Sequence, residues 1–193
     1  MNHCSNCGGP VVQAIPAGDN RQRHICPQCD QVHYQNPKLV AGCVPQWQGQ
    51  VLLCRRAIEP RRNYWTVPAG YLELGESLPQ AAAREALEEA CTQVRIQRLF
   101  AMIDVVQAGQ VHVMYSAHIT DGAYGVGEES LEVDLFGPQQ IPWRDLAFPS
   151  VRFTLERFVA EPPHHADETG HVHTIALGND AGHNLADWST GGS

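Results

Sequence analysis

The chain has no apolar run long enough to span a bilayer, and its first residues, MNHCSNCGG, contain no apolar signal region. Both absences predict a cytoplasmic protein without a membrane partner. Basic residues are also scarce, since 13 Lys and Arg face 21 Asp and Glu and leave a formal net charge of −8. A general binder of the nucleic-acid backbone is expected to be basic, so we expect no nucleic-acid partner.

Cysteine is present in an odd number, seven, which suits reduced thiols and a metal site better than a set of disulfides. Four of the thiols form two CxxC pairs within residues 1–37, and they are Cys4, Cys7, Cys26 and Cys29. Four thiolates complete the closed tetrahedron of a structural zinc ion, which supplies folding free energy that so small a segment lacks. A redox role is disfavoured because the pairs have no strand–helix context. We therefore predict a zinc ribbon over residues 1–37, with the nearby histidines as bystanders.

Residues 38–160 show the patterns of a mixed α/β domain. The predicted strands are Leu39–Val44, Val51–Cys54, Arg95–Val105, Val111–Ile119 and Glu132–Phe136, the first two joined by a hairpin. A helix is predicted from about Leu78 to Cys91, with Ser77 as its N-cap. A last helix opens at Pro149, and its predicted buried face is Val151, Leu155, Phe158 and Val159.

From residue 161 to 193 the composition shifts to Pro, Gly, His, Asp and Asn, with little periodicity. This pattern favours a loosely ordered tail, and a secondary metal site formed by its histidines is the alternative. Outside the ribbon, Cys43, Cys54 and Cys91 are expected to be buried as small hydrophobic side chains.

Three carboxylates, those of Glu85, Glu88 and Glu89, fall on one face of the first predicted helix. The opposite face, which carries Ala83, Ala86, Leu87 and Ala90, is expected to pack on the core. Like charges at these spacings destabilise a helix by roughly 0.2–0.5 kcal/mol per pair, so a cluster of them suggests a use. Hard oxygen ligands suit Mg²⁺ or Mn²⁺. The alternative is a solvated glutamate-rich face.

The carboxylates belong to a longer pattern with defined spacing, which is Gly70, Glu76, Arg84, Glu85, Glu88 and Glu89. This pattern resembles the catalytic loop–helix of Nudix hydrolases. Together with the CxxC pairs, the segments YQNPK, CRR, WTVPAGYLELGES, ESLE and LAFPS resemble a ribbon-bearing Nudix subgroup that includes FAD and ADP-ribose pyrophosphatases. The resemblance covers roughly residues 3–160. It departs at Cys91, where the family usually has the Gly that ends the helix in a left-handed conformation.

The resemblance implies an α/β/α sandwich built on a mixed sheet, preceded by the zinc ribbon. It implies metal-dependent hydrolysis of the pyrophosphate bond in an ADP-linked substrate, ADP-ribose or FAD, to AMP and a phosphorylated product. The implied Mg²⁺ or Mn²⁺ ligands are the carboxylates of Glu85, Glu88 and Glu89 and the backbone carbonyl of Gly70. Proteins of this type are often homodimers, and their partners are small-molecule nucleotides.

Further roles follow from the same resemblance. Arg84 and Glu76 match a structural pair in which the arginine orients a ligand carboxylate. The general base in the family is either a glutamate of the loop–helix pattern or one from a later loop. We favour Glu129 in that loop, with Glu132 as second choice, although both acids would also suit a solvated loop.

Substrate contacts are expected from Arg55 and Arg56 as phosphate ligands and from Tyr71 as a stacking ring. Trp65 and Phe148 are further stacking candidates. Each of these has a plainer reading, as a surface charge or as a core aromatic.

Two other functions stay open. NADH or NAD pyrophosphatases also join a zinc ribbon to a Nudix domain, but of their SQPWPFPxS-like signature this chain has only the fragment Ala147–Ser150. A non-catalytic nucleotide sensor or ribbon-mediated binding module is disfavoured because such domains usually lose acids from the REXXEE segment, and this chain keeps them.

Overall fold

The structure is a computed structural model that describes residues 1–161. The chain divides into two compact units, one spanning Met1–Pro37 and the other beginning at Lys38. Beyond Glu161, the predicted tail lies outside the described residues. Within residues 1–161 no helix is long and apolar enough to cross a membrane.

The first unit is a small three-stranded antiparallel sheet with almost no apolar core. Its strands are β1 (Val12–Ala14), β2 (Arg23–Ile25) and β3 (Val32–His33), in that spatial order. The buried residues of this unit are Cys4, Gly9 and Cys26, so cysteine replaces the usual aliphatic side chains. A unit held in this way depends on what its thiols bind.

The second unit is built on a seven-stranded mixed sheet with two helices. Its elements are β4 (Lys38–Trp47), β5 (Gln50–Arg56), β6 (Trp65–Thr66), β7 (Ala69–Tyr71), α1 (Leu78–Ala90), β8 (Val94–Val105), β9 (Gln110–Ile119), β10 (Ser130–Phe136) and α2 (Pro149–Ala160). The main strand order is β10-β5-β4-β9-β8, with β6 paired to β5 and β7 paired to β4. Strands β4 and β9 run parallel and the other pairs are antiparallel, which confirms the predicted mixed sheet.

The two helices cover opposite faces of this sheet. Successive side chains of a strand point to opposite faces, and β4 shows the consequence. Cys43 packs in a cluster with Ala86 of α1, whereas its neighbour Val44 packs in the main core with Leu155 of α2. This arrangement confirms the α/β/α sandwich. The five predicted strands and both helices are present, with ends within a few residues of those expected.

Helix α1 buries Ala86 and Ala90 of the predicted core face but not the other two residues. Leu87 is 52% exposed and Ala83 is only half-buried, so neither belongs to the core face. The buried positions of the helix are Ala81, Ala82, Glu85, Ala86, Glu89 and Ala90. Small alanines let α1 approach the sheet closely, and the orientation of the helix carries Glu85 and Glu89 into the protein.

Helix α2 departs from the prediction at one position. Val159 is 37% exposed, while Thr154 is fully buried in its place. The Thr154 hydroxyl donates to the backbone carbonyl of Ser150 at 2.8 Å, and this bond satisfies the polar group within the core.

The end of α1 keeps the expected geometry with a different residue. Cys91 adopts the left-handed conformation, with φ 47° and ψ 33°, and its N–H bonds to the Leu87 carbonyl at 3.0 Å. A non-glycine residue in this region costs roughly 1–2 kcal/mol. The side chain is exposed, so the expectation that Cys91 is buried was wrong, whereas Cys43 and Cys54 are buried as expected.

Candidate active site and zinc centre

The four cysteines of the first unit converge on one point. Their sulfurs all lie within 4.8 Å of one another, with Cys4 Sγ 3.7 Å from Cys29 Sγ and Cys7 Sγ 3.5 Å from Cys26 Sγ. A tetrahedron of thiolates around zinc, with bonds of about 2.3 Å, has edges of about 3.8 Å. The thiol positions therefore fit a structural zinc ion. His33 Nε2 lies 3.3 Å from Cys4 Sγ, so it contacts a ligand sulfur.

In the second unit, Arg84 organises the loop that precedes α1 and the acids that follow. Its guanidinium donates twice to Glu76, from Nε to Oε2 at 3.0 Å and from Nη2 to Oε1 at 2.8 Å. Nη2 also donates to the Tyr71 carbonyl at 3.1 Å. Nη1 donates to Glu85 Oε1 at 2.7 Å and to Glu88 Oε2 at 3.0 Å. The pair of Arg84 and Glu76 implied by the resemblance is present.

Glu85 packs directly against the backbone of β7 at Gly70. A Cβ added at Gly70 would lie 2.2 Å from Glu85 Oε1, so a larger residue here would displace this carboxylate. The Glu85 side chain is largely buried, and burial raises the pKa of its carboxyl. Glycine at this position therefore brings a backbone segment and a carboxylate into direct contact.

Glu89 is the more unusual acid. It is 7% exposed, and its Oε2 is buried without a hydrogen-bond partner among the described residues. Burial raises the pKa of the Glu89 carboxyl to about 8, and the neighbouring Glu85 adds repulsion. An unpaired buried oxygen beside a second buried carboxylate is an environment that a hard divalent cation would stabilise. Glu88, by contrast, is an exposed side chain held by Arg84.

The carboxylate oxygens of these glutamates do not lie around a single point, as the cysteine sulfurs do. Within residues 1–161, the four cysteines form the one group of His, Cys, Asp or Glu whose ligand atoms all lie that close together. Arg84 Nη1 bridges Glu85 and Glu88 instead, which places a positive charge between them.

A second segment reaches the acids from far along the chain. The Gly127 N–H donates to the Glu89 carbonyl at 3.1 Å, and the Ser130 hydroxyl donates to the same carbonyl at 2.7 Å. A Cβ at Gly127 would lie 1.8 Å from the Glu88 carbonyl oxygen, so this contact requires glycine. The loop brings Glu129 close enough to Glu85 and Glu89 to repel their charges.

These groups open into one cavity of about 1050 Å³. Its acidic lining includes Glu73, Glu85, Glu88, Glu89, Glu128 and Glu129. Gly70, Tyr71, Arg84 and Arg56 also line it. Of the two base candidates, Glu129 therefore lies in the cavity, whereas Glu132 is not among the lining residues and pairs with Arg55.

The two neighbouring arginines of β5 are separated by strand alternation. Arg55 Nη1 bonds to Glu132 Oε2 at 3.2 Å outside the cavity lining. Arg56 lines the cavity, with its Nε donating to the Pro60 carbonyl at 2.9 Å and its guanidinium carbon 5.2 Å from the centre of the Phe148 ring. Arg56 is the cavity arginine without a carboxylate partner among the described residues, whereas Arg84 has three.

Two aromatic candidates differ in the same way. Phe148 lines the cavity beneath Arg56, while Trp65 packs edge-on against Phe136, with ring centres 4.9 Å apart, outside the lining residues. Gln110 and His112 also line the cavity and were not predicted from the sequence. In the sequence, their one indication is that both are polar and occupy alternate positions of a largely apolar strand, β9.

Comparisons with known proteins agree with this geometry. The profile of the Nudix N-terminal zinc ribbon matches residues 2–35, and that of the NUDIX domain matches residues 36–169. A crystal structure of a NUDIX hydrolase from Nitrosomonas europaea is 47% identical, covers 91% of this chain and 99% of its own, and superposes with a TM-score of 0.86.

Two curated relatives are more distant. The NAD-capped RNA hydrolase NudC of Photobacterium profundum is 34% identical over 52% of this chain, which spans only 36% of that protein. A MutT-like protein of Streptomyces ambofaciens is 28% identical over 72% of this chain and 87% of its own length. With the cysteine cluster, the acid helix and both matching profiles, the chain belongs to the Nudix family, as a Nudix hydrolase with an N-terminal zinc ribbon.

Proposed function

We propose that this Nudix hydrolase cleaves the pyrophosphate bond of an ADP-linked nucleoside diphosphate, ADP-ribose or FAD, giving AMP and a phosphorylated product. The observation that carries the proposal is the buried Oε2 of Glu89, which has no hydrogen-bond partner among the described residues. It lies in a cavity that also holds Arg56, an arginine without a carboxylate partner among those residues. A metal cation held at Glu89 and the positively charged Arg56 side chain in the same cavity suit a diphosphate group.

The metal ligands in this proposal are Glu85, Glu88, Glu89 and the backbone carbonyl of Gly70. Their oxygens are hard donors, and the buried Glu89 Oε2 has no hydrogen-bond partner among the described residues, whereas Glu85 already bonds to Arg84. Bound Mg²⁺ or Mn²⁺ would neutralise charge on the diphosphate oxygens and make a water molecule more acidic. Arg84 positions Glu85 for this role through its 2.7 Å hydrogen bond.

Arg56 and Glu129 complete the assignment. Arg56 contacts a phosphate oxygen of the substrate, because it lines the cavity with no carboxylate partner among the described residues. Glu129 accepts the proton of the attacking water, because it lies in the same cavity on a loop fixed to α1 by Gly127. Arg55 and Glu132 neutralise each other and have a weaker claim to these roles.

A second candidate substrate is NADH or NAD. The relatives named NAD-capped RNA hydrolase favour it, although this chain spans about a third of their length. The name of these relatives refers to RNA, so the expected absence of a nucleic-acid partner for this chain stays a prediction. The cytoplasmic location and the homodimer stay predictions as well.

The test is a panel of ADP-ribose, FAD and NADH with wild-type protein and Mg²⁺ or Mn²⁺, compared by kcat/KM. We expect the highest kcat/KM for ADP-ribose or FAD. A clear preference for NADH would move the assignment to the second candidate. Failure to hydrolyse any nucleoside diphosphate in a broad panel would leave the non-catalytic binding function and overturn the proposal.

A further inference from the structure

A chain of hydrogen bonds crosses the part of the cavity that has no role in the proposed chemistry. Gln110 and His112 occupy alternate positions of β9 and therefore share one face of the sheet. Gln110 Oε1 lies 3.0 Å from His112 Nε2, and Gln110 Nε2 donates to the Tyr71 hydroxyl at 2.9 Å. All three residues line the cavity, and we call them the Tyr71–Gln110–His112 strip.

The bonds determine which atoms of the strip carry hydrogen. An amide oxygen only accepts, so His112 Nε2 carries the proton in its bond to Gln110 Oε1. His112 Nδ1 is then a bare nitrogen, and it is buried with no partner among the described residues. A proton there would be an unpaired buried charge, and burial accordingly lowers the pKa of His112. The imidazole is a neutral ring at physiological pH.

The hydroxyl of Tyr71 has the opposite character. It already accepts from Gln110, so its own hydrogen is free to be donated. The ring is 51% exposed, and the Lys38 ammonium lies 4.8 Å from its centre. Gln110 thus holds a neutral imidazole on one side and a hydroxyl donor on the other.

Apart from the Lys38 ammonium beside Tyr71, the strip shares the cavity lining with several apolar residues. Val40, Val105, Ala108, Met114 and Val151 line the cavity from β4, β8, β9 and α2 and from the turn that follows β8. They contrast with the glutamates that α1 and the Gly127 loop contribute. An apolar wall with a few fixed polar groups is typical of a site for an uncharged planar ring.

We propose that the Tyr71–Gln110–His112 strip recognises the heteroaromatic ring of the substrate, with Gln110 as the positioning residue for the two groups that contact that ring. The inference rests on the proposed function, and it names the part of the substrate that this wall selects. A ring acceptor meets the Tyr71 hydroxyl, and the ring surface meets His112 and its apolar neighbours. Diphosphates without such a ring use only the acidic part of the cavity.

The first test needs no catalysis. Adenosine, which has the ring but no phosphate, is titrated into the full chain in buffer without Mg²⁺ or Mn²⁺ and followed by NMR. We expect Gln110→Leu and Tyr71→Phe to weaken adenosine binding about fivefold to tenfold, the usual effect of losing one or two neutral hydrogen bonds. His118→Leu is the matched control, since His118 lies on the same strand against Trp47, with ring centres 5.9 Å apart.

Tyr71→Phe changes an exposed side chain, so a failure of Gln110→Leu to fold leaves the test intact. Adenosine binding that is equal in wild type and both variants, or absent in wild type, overturns the inference.

The second test is kinetic and separates the inference from the proposed function. For a nucleoside diphosphate substrate, Gln110→Leu should raise KM while kcat changes little, because the ring is bound but not transformed. For the ringless 5-phosphoribosyl 1-diphosphate, the same variant should behave as wild type. Equal effects on both substrates would refute ring recognition while leaving the hydrolase intact. Inactivity of the wild type towards every diphosphate would refute the proposed function, and the adenosine titration would still decide this inference.

Discussion

The cysteine cluster of the ribbon and the proposed cation site of the second unit are built in opposite ways. In the ribbon, four sulfurs already lie within 4.8 Å of one another, and they replace the core of their unit. In the second unit, Arg84 bridges Glu85 and Glu88, and the unit has an apolar core of its own. We call the cysteine cluster the closed site, and we expect metal binding there to hold the first unit folded. We call the acidic site of the second unit the open site, and we expect that unit to fold without a metal.

The largest expected effect tests the closed site. Cys4→Ser should abolish zinc binding, from about one ion per chain to none, and unfold the first unit, because zinc contributes about 10–16 kcal/mol to such domains. Zinc analysis and the NMR spectrum would show the loss, with the signals of the second unit retained. A ribbon that stays folded without zinc would remove the contrast between the two sites.

The next effect tests the open site. Glu89→Gln should lower kcat by about a thousandfold or more, because it removes a charged ligand at the point where the phosphate charge must be neutralised. The thermal midpoint should not fall, since the neutral amide suits this buried position better than a carboxylate. Glu156→Gln, an exposed acid of α2 that pairs with Arg152, is the control and should keep full activity. A cooperative loss of structure in Glu89→Gln would show that this site is structural too.

A smaller effect separates the two arginines beside the open site. Arg56→Ala should lower kcat/KM about tenfold to a hundredfold, the expected loss of one charged hydrogen bond to phosphate. Arg55→Ala should change kcat/KM by less than about twofold, because a surface ion pair contributes little. Similar losses in both variants would mean that the cavity does not distinguish the two side chains.

The smallest effect concerns pH and the catalytic unit alone. The pKa of folded His112 is lowered by burial, so the unfolded chain binds more protons just below about pH 6.5. Taken alone, this shift should make the free energy of unfolding fall as pH decreases through that value towards the folded pKa of His112. The raised pKa of Glu89 acts in the opposite direction over the same pH range, so the effect of His112 must be measured against a variant. Urea unfolding of wild type and His112→Leu near neutral and at mildly acidic pH would measure it, and acidification should be less destabilising, or more stabilising, in the variant than in wild type. An unchanged pH dependence in the variant would contradict a buried neutral imidazole.

Local patterns were predictable from the sequence because short spacings fix short geometries. Three predicted features depend only on residues close together in the sequence, within about two helical turns. They are the CxxC pairs, the ends of α1 and the pairing of Arg84 with Glu76. The pattern of apolar residues likewise predicted five of the seven strands of the sheet, and it missed the short β6 and β7.

What the sequence left open depended on how elements pack together. The rotation of α1, which exposes Leu87 and buries Glu85, is set by its close approach to the sheet rather than by its own periodicity. Which of Arg55 and Arg56 enters the cavity depends on the register of β5 in a sheet whose strand order is not local. In the sequence, Gln110 is only a polar residue within a strand. Its hydrogen bonds to Tyr71 and His112 become visible only in the folded structure.

The left-handed end of α1 has a practical consequence. Six of the seven thiols are either in the ribbon cluster or buried in the second unit, which leaves Cys91 as the exposed thiol outside the ribbon. It lies two residues after Glu89 and one residue before a threonine anchored to the loop at Ala123. A maleimide fluorophore attached there, with the ribbon thiols protected by zinc, would report on the acidic end of the cavity without altering any of its groups.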